Sequence, residues 1–309
     1  MSYIYKEGTS IYDVIDTLDE LLTVTQGTWS RVITNTTKYE GEDRLSEVIW
    51  KGIGGGSDII YLHVYTTDAK TMVLDSMVGY DALLMSWEQP GSIMQQNQVW
   101  LKKGKSLTEY TLPVFSIVEN EKFSYWVFVN NYRVIVVSKL STYYESMYMG
   151  FINPIAVERQ YPYPMYVCGN GRTGQVWPNT QSGSFVFPTG GSGWLRRVSG
   201  DWRKFECTES ALNPRGDGTV FPENAGNKKL VPNYTKGDTD STDNFILIPI
   251  ILQTANPVDM CGILQDVCWI SGTRDVSSEQ LLTFNSDSYM IFDTKDNRTE
   301  NSYYAIKMA

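Results

Sequence analysis

Histidine is almost absent from this 309-residue chain, which contains only His63. A Ser-His-Asp or Cys-His catalytic group would depend on that one residue, and a site with several histidine ligands is excluded. His63 alternates with Tyr61 and Tyr65 in a segment typical of a strand, which favours a packed or hydrogen-bonded side chain. We therefore expect a protein that is not an enzyme, with no catalytic residues and no cofactor or metal site.

Cysteine is also scarce. Cys168, Cys207, Cys261 and Cys268 form no Cys-x-x-Cys pair, so zinc would need an unusual ligand spacing. Free cysteines are among the most buried residue types, and the cytoplasm keeps thiols reduced. We expect buried, free thiols.

Long apolar runs and an excess of positive charge are missing as well. No run approaches the roughly 20 residues that span a bilayer, and the polar residues 1–8 do not resemble a secretory signal. Lys and Arg total 26 against 35 Asp and Glu, a net charge of -9. Wrapping a phosphate backbone requires clustered cations. The sequence therefore predicts no membrane segment, no secretory export and no tight nucleic-acid binding.

Aromatic residues, by contrast, are abundant at 13% of the chain, with 20 Tyr and 9 Trp. The alternating segment 123–129, a turn at Asn130-Asn131 and a second segment ending at Leu140 predict a β-hairpin. Residues 134–137 are all β-branched, which is typical of a central strand buried on both faces.

The segment after Leu140 continues the aromatic enrichment as far as Tyr166. Gly150 and three prolines, Pro154, Pro162 and Pro164, interrupt it. Proline removes a backbone donor and restricts the preceding residue, so we expect an ordered aromatic loop here and neither a helix nor a long strand.

The same part of the sequence resembles a known group of proteins. The run Asn131-Tyr-Arg-Val-Ile-Val-Val-Ser-Lys-Leu-Ser-Thr-Tyr-Tyr-Glu-Ser-Met-Tyr-Met-Gly-Phe-Ile-Asn-Pro, followed by Gln160-Tyr-Pro-Tyr-Pro, resembles a block in uncharacterised virion structural proteins of tailed bacteriophages. The similarity covers about residues 50–170 and carries no assigned chemistry. It implies a virion component that assembles in the host cytoplasm with other virion proteins.

The remaining patterns indicate a mostly β fold. Ser10 as N-cap, Asp13 three residues later and an apolar stripe from Ile11 to Leu22 predict an amphipathic N-terminal helix, with Asp19 among the residues facing water. The helix would cover its own sheet or dock on a neighbouring subunit. Short strands at intervals of about ten residues predict an antiparallel β-sandwich or twisted sheets.

Composition divides the chain into three parts: a β-rich body at 1–168, a loop-rich insertion at 169–243, and C-terminal strands at 244–309 that return to the body. Within the insertion, Trp194-Leu-Arg-Arg and Trp202-Arg-Lys-Phe combine basic and aromatic residues, which favours a protein partner over nucleic acid. Pro249, in the apolar run 245–252, predicts an edge strand or a bulge.

The most concrete hypothesis is a non-enzymatic neck, collar or connector-ring protein that joins virion neighbours through the aromatic loop and the insertion. Its partners would be identical subunits and a neck, portal, adaptor or tail-terminator protein. A tail or baseplate protein, or a polysaccharide-binding or polysaccharide-cleaving module on the virion, is the alternative. The predicted contact residues are Arg133, Tyr143, Tyr144, Tyr148, Tyr161, Tyr163, Trp194, Arg196, Arg197 and Trp202. Arg133 could instead be an exposed rim cation paired with Glu119 or Glu121.

Overall fold

The fold is mostly β, as the sequence predicts. The structure is a computed structural model. It describes residues 2–52, 60–66, 71–78, 112–117, 121–155, 164–172, 184–186, 188, 193–196, 202–205, 218–221, 247–255, 258–270, 276–293 and 303–308. Within these ranges the strands form three antiparallel sheets, and one short helix lies near the N-terminus.

The three sheets are named by their positions. The central sheet contains, in spatial order, β1 (Ser2–Gly8), β7 (Phe123–Val129), β8 (Arg133–Leu140), β9 (Tyr143–Phe151), β10 (Met165–Cys168), β12 (Gly193–Arg196) and β13 (Trp202–Phe205). The helix-side sheet contains β11 (Gly171–Arg172), β6 (Pro113–Ser116), β5 (Thr71–Val78), β4 (Ile60–Thr66), β3 (Glu42–Gly52) and β2 (Trp29–Tyr39). The C-terminal sheet contains β14 (Gly218–Phe221), β15 (Leu247–Ala255), β16 (Val258–Ile270), β19 (Tyr303–Lys307), β18 (Asp287–Asp293) and β17 (Leu281–Phe284).

The middle strands of the central sheet are buried on both faces. On β8, Val134 and Val136 join a core shared with the helix and the helix-side sheet. Ile135 and Val137 point the other way, into a core shared with the C-terminal sheet. Fully burying each such side chain contributes about 1.5–3 kcal/mol relative to exposure. The predicted hairpin and its doubly buried return strand are confirmed.

The helix α1 (Ile11–Glu20) begins where the sequence predicts. Its first turn is fixed by the Asp13 carboxylate, which accepts the backbone N–H groups of Thr9 at 2.8 Å and Ser10 at 3.0 Å. A π-helical segment, Leu21–Thr25, continues it. The helix packs on sheets of its own chain, against β1, β3 and β7.

The aromatic loop prediction is wrong for its first half, because Tyr143–Phe151 forms the nine-residue strand β9. Both faces of this strand are buried, so it lacks the alternation that marks a half-exposed strand. Pro154 follows the end of β9 and interrupts nothing within it, and residues 156–163 lie outside the described ranges.

Strand β15 carries the irregularity that Pro249 predicts. Its pairing with β16 shifts between Pro249 and Ile251, which confirms the bulge alternative. The edge alternative is wrong, since β15 lies between β14 and β16. Four described strands within residues 169–243 belong to the sheets: β11 joins the helix-side sheet, β12 and β13 extend the central sheet, and β14 borders the C-terminal sheet.

Candidate functional site

Most of the described side chains that the sequence predicts as partner contacts are buried in the core. Arg133 and Tyr148 are 0% exposed, Arg196 is 4% and Trp194 is 8%. Tyr143 and Tyr144 are half-buried. Trp202 lies in β13, where its backbone pairs with that of Arg196. Tyr161, Tyr163 and Arg197 lie outside the described residues.

Arg133 connects the central sheet to the C-terminal sheet. Its Nη2 atom lies 3.1 Å from Oδ2 of Asp266, and its Nη1 donates to the carbonyl of Phe128 at 3.4 Å. The Asn130 side chain donates to the same Asp266 oxygen at 3.2 Å. Burial lowers the pKa of Arg133, although the charge of Asp266 opposes this shift. The prediction of an exposed rim cation is therefore wrong. Glu119 lies outside the described residues.

A cleft of about 430 Å³ opens where the end of the central sheet meets the C-terminal sheet. We call it the inter-sheet cleft. The β8–β9 turn forms one wall, residues 277–279 form another, and the paired residues Asp293 and Tyr303 come from β18 and β19. Its lining residues are Lys139, Ser141, Thr142, Tyr144, Ser277, Ser278, Glu279, Asp293 and Tyr303.

Three of these side chains form a fixed group. One oxygen of Glu279, Oε1, accepts hydrogen bonds from Nζ of Lys139 and from the hydroxyl of Tyr144, both at 2.5 Å. Nζ of Lys139 also lies 5.6 Å from the centroid of the Tyr144 ring. These contacts hold the Tyr144 ring and the Glu279 carboxylate in one orientation before any ligand arrives.

The backbone around the cleft adopts conformations that usually favour glycine. Glu279 has a φ of +68°; its N–H donates to the carbonyl of Ile291, whose own N–H donates to the carbonyl of Gln280. This is a β-bulge with a non-glycine residue at its left-handed position. Ser141, in the opposite wall, has a φ of +58°. Such residues cost on the order of 1–3 kcal/mol each and cluster at functional sites.

The pKa values in the cleft favour a carboxylate and a neutral phenol. Burial raises the pKa of Glu279, but hydrogen bonds from Lys139 and Tyr144 outweigh burial and lower it. Burial, followed by the bond to Glu279, raises the pKa of Tyr144 above its usual range. At neutral pH Glu279 is therefore an acceptor and the Tyr144 hydroxyl remains a donor.

A second feature is the aromatic edge, which we define as β1 with Tyr3 and Tyr5. β1 is the outermost described strand on its side of the central sheet. Tyr3 is 43% exposed and stacks on Phe128 at 6.0 Å between ring centroids. Tyr5 is 50% exposed and lies 5.2 Å from Trp126.

His63 occupies a structural position, as the sequence predicts. It is 1% exposed, and its Nε2 lies 2.9 Å from Oε1 of Glu47.

Among the described residues, no three His, Cys, Asp or Glu side chains are grouped to hold a metal ion. Cys168 and Cys261 are buried free thiols. Burial, with a smaller contribution from Asp266, raises the pKa of the half-buried Cys268 thiol to about 11.

No family model matches this sequence, and no curated protein is similar to it. In the part of the chain that the structure describes, no helix has both the length and the apolar character to cross a membrane. The resemblance to phage virion proteins, quoted above for the run from Asn131, stays a prediction.

Sequence reasoning did not identify the inter-sheet cleft or the aromatic edge. The β-forming run Tyr3-Ile4-Tyr5 was a signal for β1, but it is short and lies in a polar segment. Glu279 had no usable signal, because a left-handed turn position is normally recognised by glycine or asparagine.

Proposed function

We propose that this protein is a non-enzymatic structural component of a tailed-phage virion, in which identical subunits form a ring at the neck. The observation that carries the proposal is the aromatic edge, since it combines the outermost described strand on one side of the central sheet with two half-exposed tyrosines. Such a surface is suited to a permanent contact between subunits.

The chemistry of the edge suits strand addition. An outermost strand presents backbone N–H and C=O groups that a neighbouring strand can pair with. Tyr3 and Tyr5 supply contact area at low entropic cost, because stacking already limits their motion. Lys6 is held by Glu20 at 3.1 Å, so its charge is partly neutralised near the edge.

The resemblance supports the virion assignment from a different direction. The residues that carry it include β8 and β9, two strands in the middle of the central sheet. A similarity in these strands is what a shared scaffold would produce. The net charge of -9 suits a ring through which DNA passes, because like charge discourages tight contact with phosphate.

The charged groups of the described core support a structural role. Arg133 and Asp266 join two sheets, and Arg31 and Asp19 join β2 to the helix. Each pair connects two different elements, so its main effect is to fix their relative positions.

The direct test is to locate the protein in purified particles. We expect mass spectrometry to detect it and a virion reconstruction, or a labelled antibody, to place it in a ring at the neck. Density at the distal tail would contradict the neck assignment and favour the tail or baseplate alternative. Absence from purified particles would contradict the virion role itself.

A variant pair tests the aromatic edge separately. The double substitution Tyr3→Ser and Tyr5→Ser should abolish ring formation in size-exclusion chromatography with light scattering, while the monomer keeps its melting temperature within a few degrees. The matched control is Tyr132→Ser, which changes a tyrosine that is 36% exposed in the β7–β8 turn. If both variants lose assembly to the same extent, or if neither loses it, the aromatic edge is not the contact between subunits.

A further inference from the structure

We infer that the inter-sheet cleft binds a neutral saccharide unit, as a site for recognition and not for cleavage. This inference goes beyond the proposed virion role and does not depend on it. It rests on the shape of the cleft, on the side chains that line it and on their fixed orientation.

The size and position of the cleft are those of a ligand site. Its volume of about 430 Å³ falls within the range of about 300–1,000 Å³ typical of small-molecule pockets. It forms where two sheets and four chain segments meet, and each wall is a turn or a strand end held by sheet pairing. The cleft is therefore preformed, which lowers the entropic cost of binding.

The side chains match the two surfaces of a sugar ring. A pyranose has an apolar C–H face and a rim of hydroxyl groups. Tyr303 can pack against the apolar face. The Tyr144 ring already contacts Lys139, Trp126 and Phe292, so its part in the site is to orient Glu279. Glu279 can accept from the rim hydroxyls, and the serine and threonine side chains of both walls can donate or accept.

Glu279 has the capacity for such a contact. An ionised carboxylate has about four acceptor positions, and Lys139 and Tyr144 use one oxygen, Oε1. The strained backbone of Glu279 directs this carboxylate to the wall of the cleft. Because Lys139 and Tyr144 fix its orientation, a sugar hydroxyl would meet an acceptor that is already in place.

The charges of the cleft disfavour other ligand classes. The ammonium group of Lys139 is already paired with Glu279. An acidic ligand would meet the Glu279 carboxylate, and a metal ion would meet the ammonium group. The four serine and threonine side chains in the walls make the lining too polar for a purely apolar ligand.

The state of Glu279 argues for binding without cleavage. A glycosidase needs a carboxylic acid with a raised pKa to protonate the leaving oxygen. Glu279 has the opposite shift, since hydrogen bonds from Lys139 and Tyr144 lower its pKa. It is ionised at neutral pH, so it does not supply the proton that the leaving oxygen needs.

The test is calorimetric titration of the purified chain with defined ligands: maltotriose, cellotriose and triacetylchitotriose as neutral saccharides, trigalacturonate as an acidic one, and the peptide Gly-Ser-Gly-Ser as a polar ligand without a sugar ring. We expect at least one neutral trisaccharide to bind with a Kd of about 1 mM or tighter, and the other two ligands not to bind. The products recovered after overnight incubation should be the intact trisaccharide.

Four variants locate the binding. Tyr303→Ala removes a stacking surface, and Glu279→Gln removes the charge at nearly constant size; each should weaken binding at least about tenfold. Thr142→Trp fills the cleft from an exposed turn position and should abolish binding with little change in melting temperature. The control Asp287→Asn breaks an ion pair with Lys307 elsewhere on the C-terminal sheet and should leave the Kd within about twofold.

Three results would overturn the inference. They are a failure of all three neutral trisaccharides to bind, selective binding of trigalacturonate or the peptide, and unchanged neutral-sugar affinity in Thr142→Trp. Release of smaller sugars would overturn the restriction to recognition. None of these results bears on where the protein lies in a particle, so the virion role is tested separately.

Discussion

The two faces of the central sheet are built from different side chains. The face toward the helix is packed mainly by Val, Ile, Leu and Met, with a minority of aromatic rings. The face toward the C-terminal sheet is organised around aromatic rings, among them Trp126, Phe128, Phe292 and Tyr304. Several of these rings meet edge to face, such as Trp126 and Phe292 with 5.2 Å between centroids.

The two faces also differ in how deeply the cations of their ion pairs are buried. On the helix side, the cations reach the surface: Arg44, which binds Asp13 at 2.6 Å and Asp16 at 2.8 Å, has a side chain that is 18% exposed, and Arg31, which binds the buried Asp19, is 51% exposed. On the C-terminal side, Arg133 is fully buried beside Asp266. Edge-to-face rings and a buried ion pair require defined geometry, whereas aliphatic packing tolerates small shifts. The C-terminal sheet is therefore held in one position more strictly than the helix.

The first prediction compares neighbouring residues of β7 that point to opposite faces. Phe128→Ala should lower the free energy of unfolding by about 3–5 kcal/mol, because it removes an aromatic ring from a closed core. Val127→Ala should lower it by about 2 kcal/mol, the value for two buried methyl groups with a small cavity. Urea denaturation measures both. Equal losses would remove the distinction between the two faces.

The second prediction tests the ion pair between the fully buried Arg133 and Asp266, whose side chain is 32% exposed. Asp266→Asn should cost about 3 kcal/mol, because it removes the carboxylate that faces the buried guanidinium. Asparagine tolerates the φ of +60° at this position, so backbone strain does not confound the result. The control Asp287→Asn breaks the exposed pair with Lys307 and should cost under about 1 kcal/mol.

A double variant separates charge from packing at the same pair. Adding Arg133→Met to Asp266→Asn should recover part of the lost stability, since no charge then stays buried. If the double variant is as unstable as the sum of the two single variants, the pair contributes through packing and not through its charge.

The third prediction concerns the helix side and corrects a sequence expectation. Asp19 is 3% exposed instead of facing water, and it accepts hydrogen bonds from Arg31 and, at 2.9 Å, from Nε1 of Trp50. Asp19→Ala should cost about 1–3 kcal/mol, because the buried indole N–H loses its acceptor. Asp19→Asn keeps an acceptor and should cost less. A similar loss in both variants would indicate that the ion pair with Arg31 dominates.

The fourth prediction uses pH and carries the smallest effect. Burial raises the pKa values of Asp13 and Glu279, but hydrogen bonds, chiefly from Arg44 and Lys139 respectively, outweigh it and lower them. A carboxyl with a lowered folded pKa contributes stability above its unfolded pKa, here 3.8 and 4.5, and that stability is lost as pH falls through the folded value. The melting temperature should therefore drop below about pH 4.5.

Variants apportion this pH dependence between the two sides. Asp13→Asn and Glu279→Gln should each flatten the decrease in melting temperature between about pH 5 and pH 2. For each variant, the loss in the free energy of unfolding over this range should shrink by under about 1 kcal/mol. Asp13→Asn should also lower stability at pH 7, because Asp13 fixes the start of the helix. A slope that is unchanged in both variants would assign the acid sensitivity to other carboxylates.

Local sequence determined the elements whose contacts are made between residues that are close in the chain. Ser10 and Asp13 mark the start of the helix because capping involves residues three or four apart. The β-branched run at 134–137 and the turn at Asn130-Asn131 specify a hairpin, and the absence of polar residues in that run specifies burial on both faces. These signals depend only on neighbours along the chain, so the helix start and the hairpin can be predicted without the tertiary structure.

Tertiary structure alone decided the features that join distant segments. Tyr143–Phe151 is a strand because sheets cover both of its sides, and β1 belongs to the central sheet because it pairs with β7, more than a hundred residues later. Arg133 meets Asp266, and Lys139 meets Glu279, across similar separations. No local sequence pattern predicts these contacts. Their contribution to the free energy of folding arises only when the sheets pack and remove these groups from water.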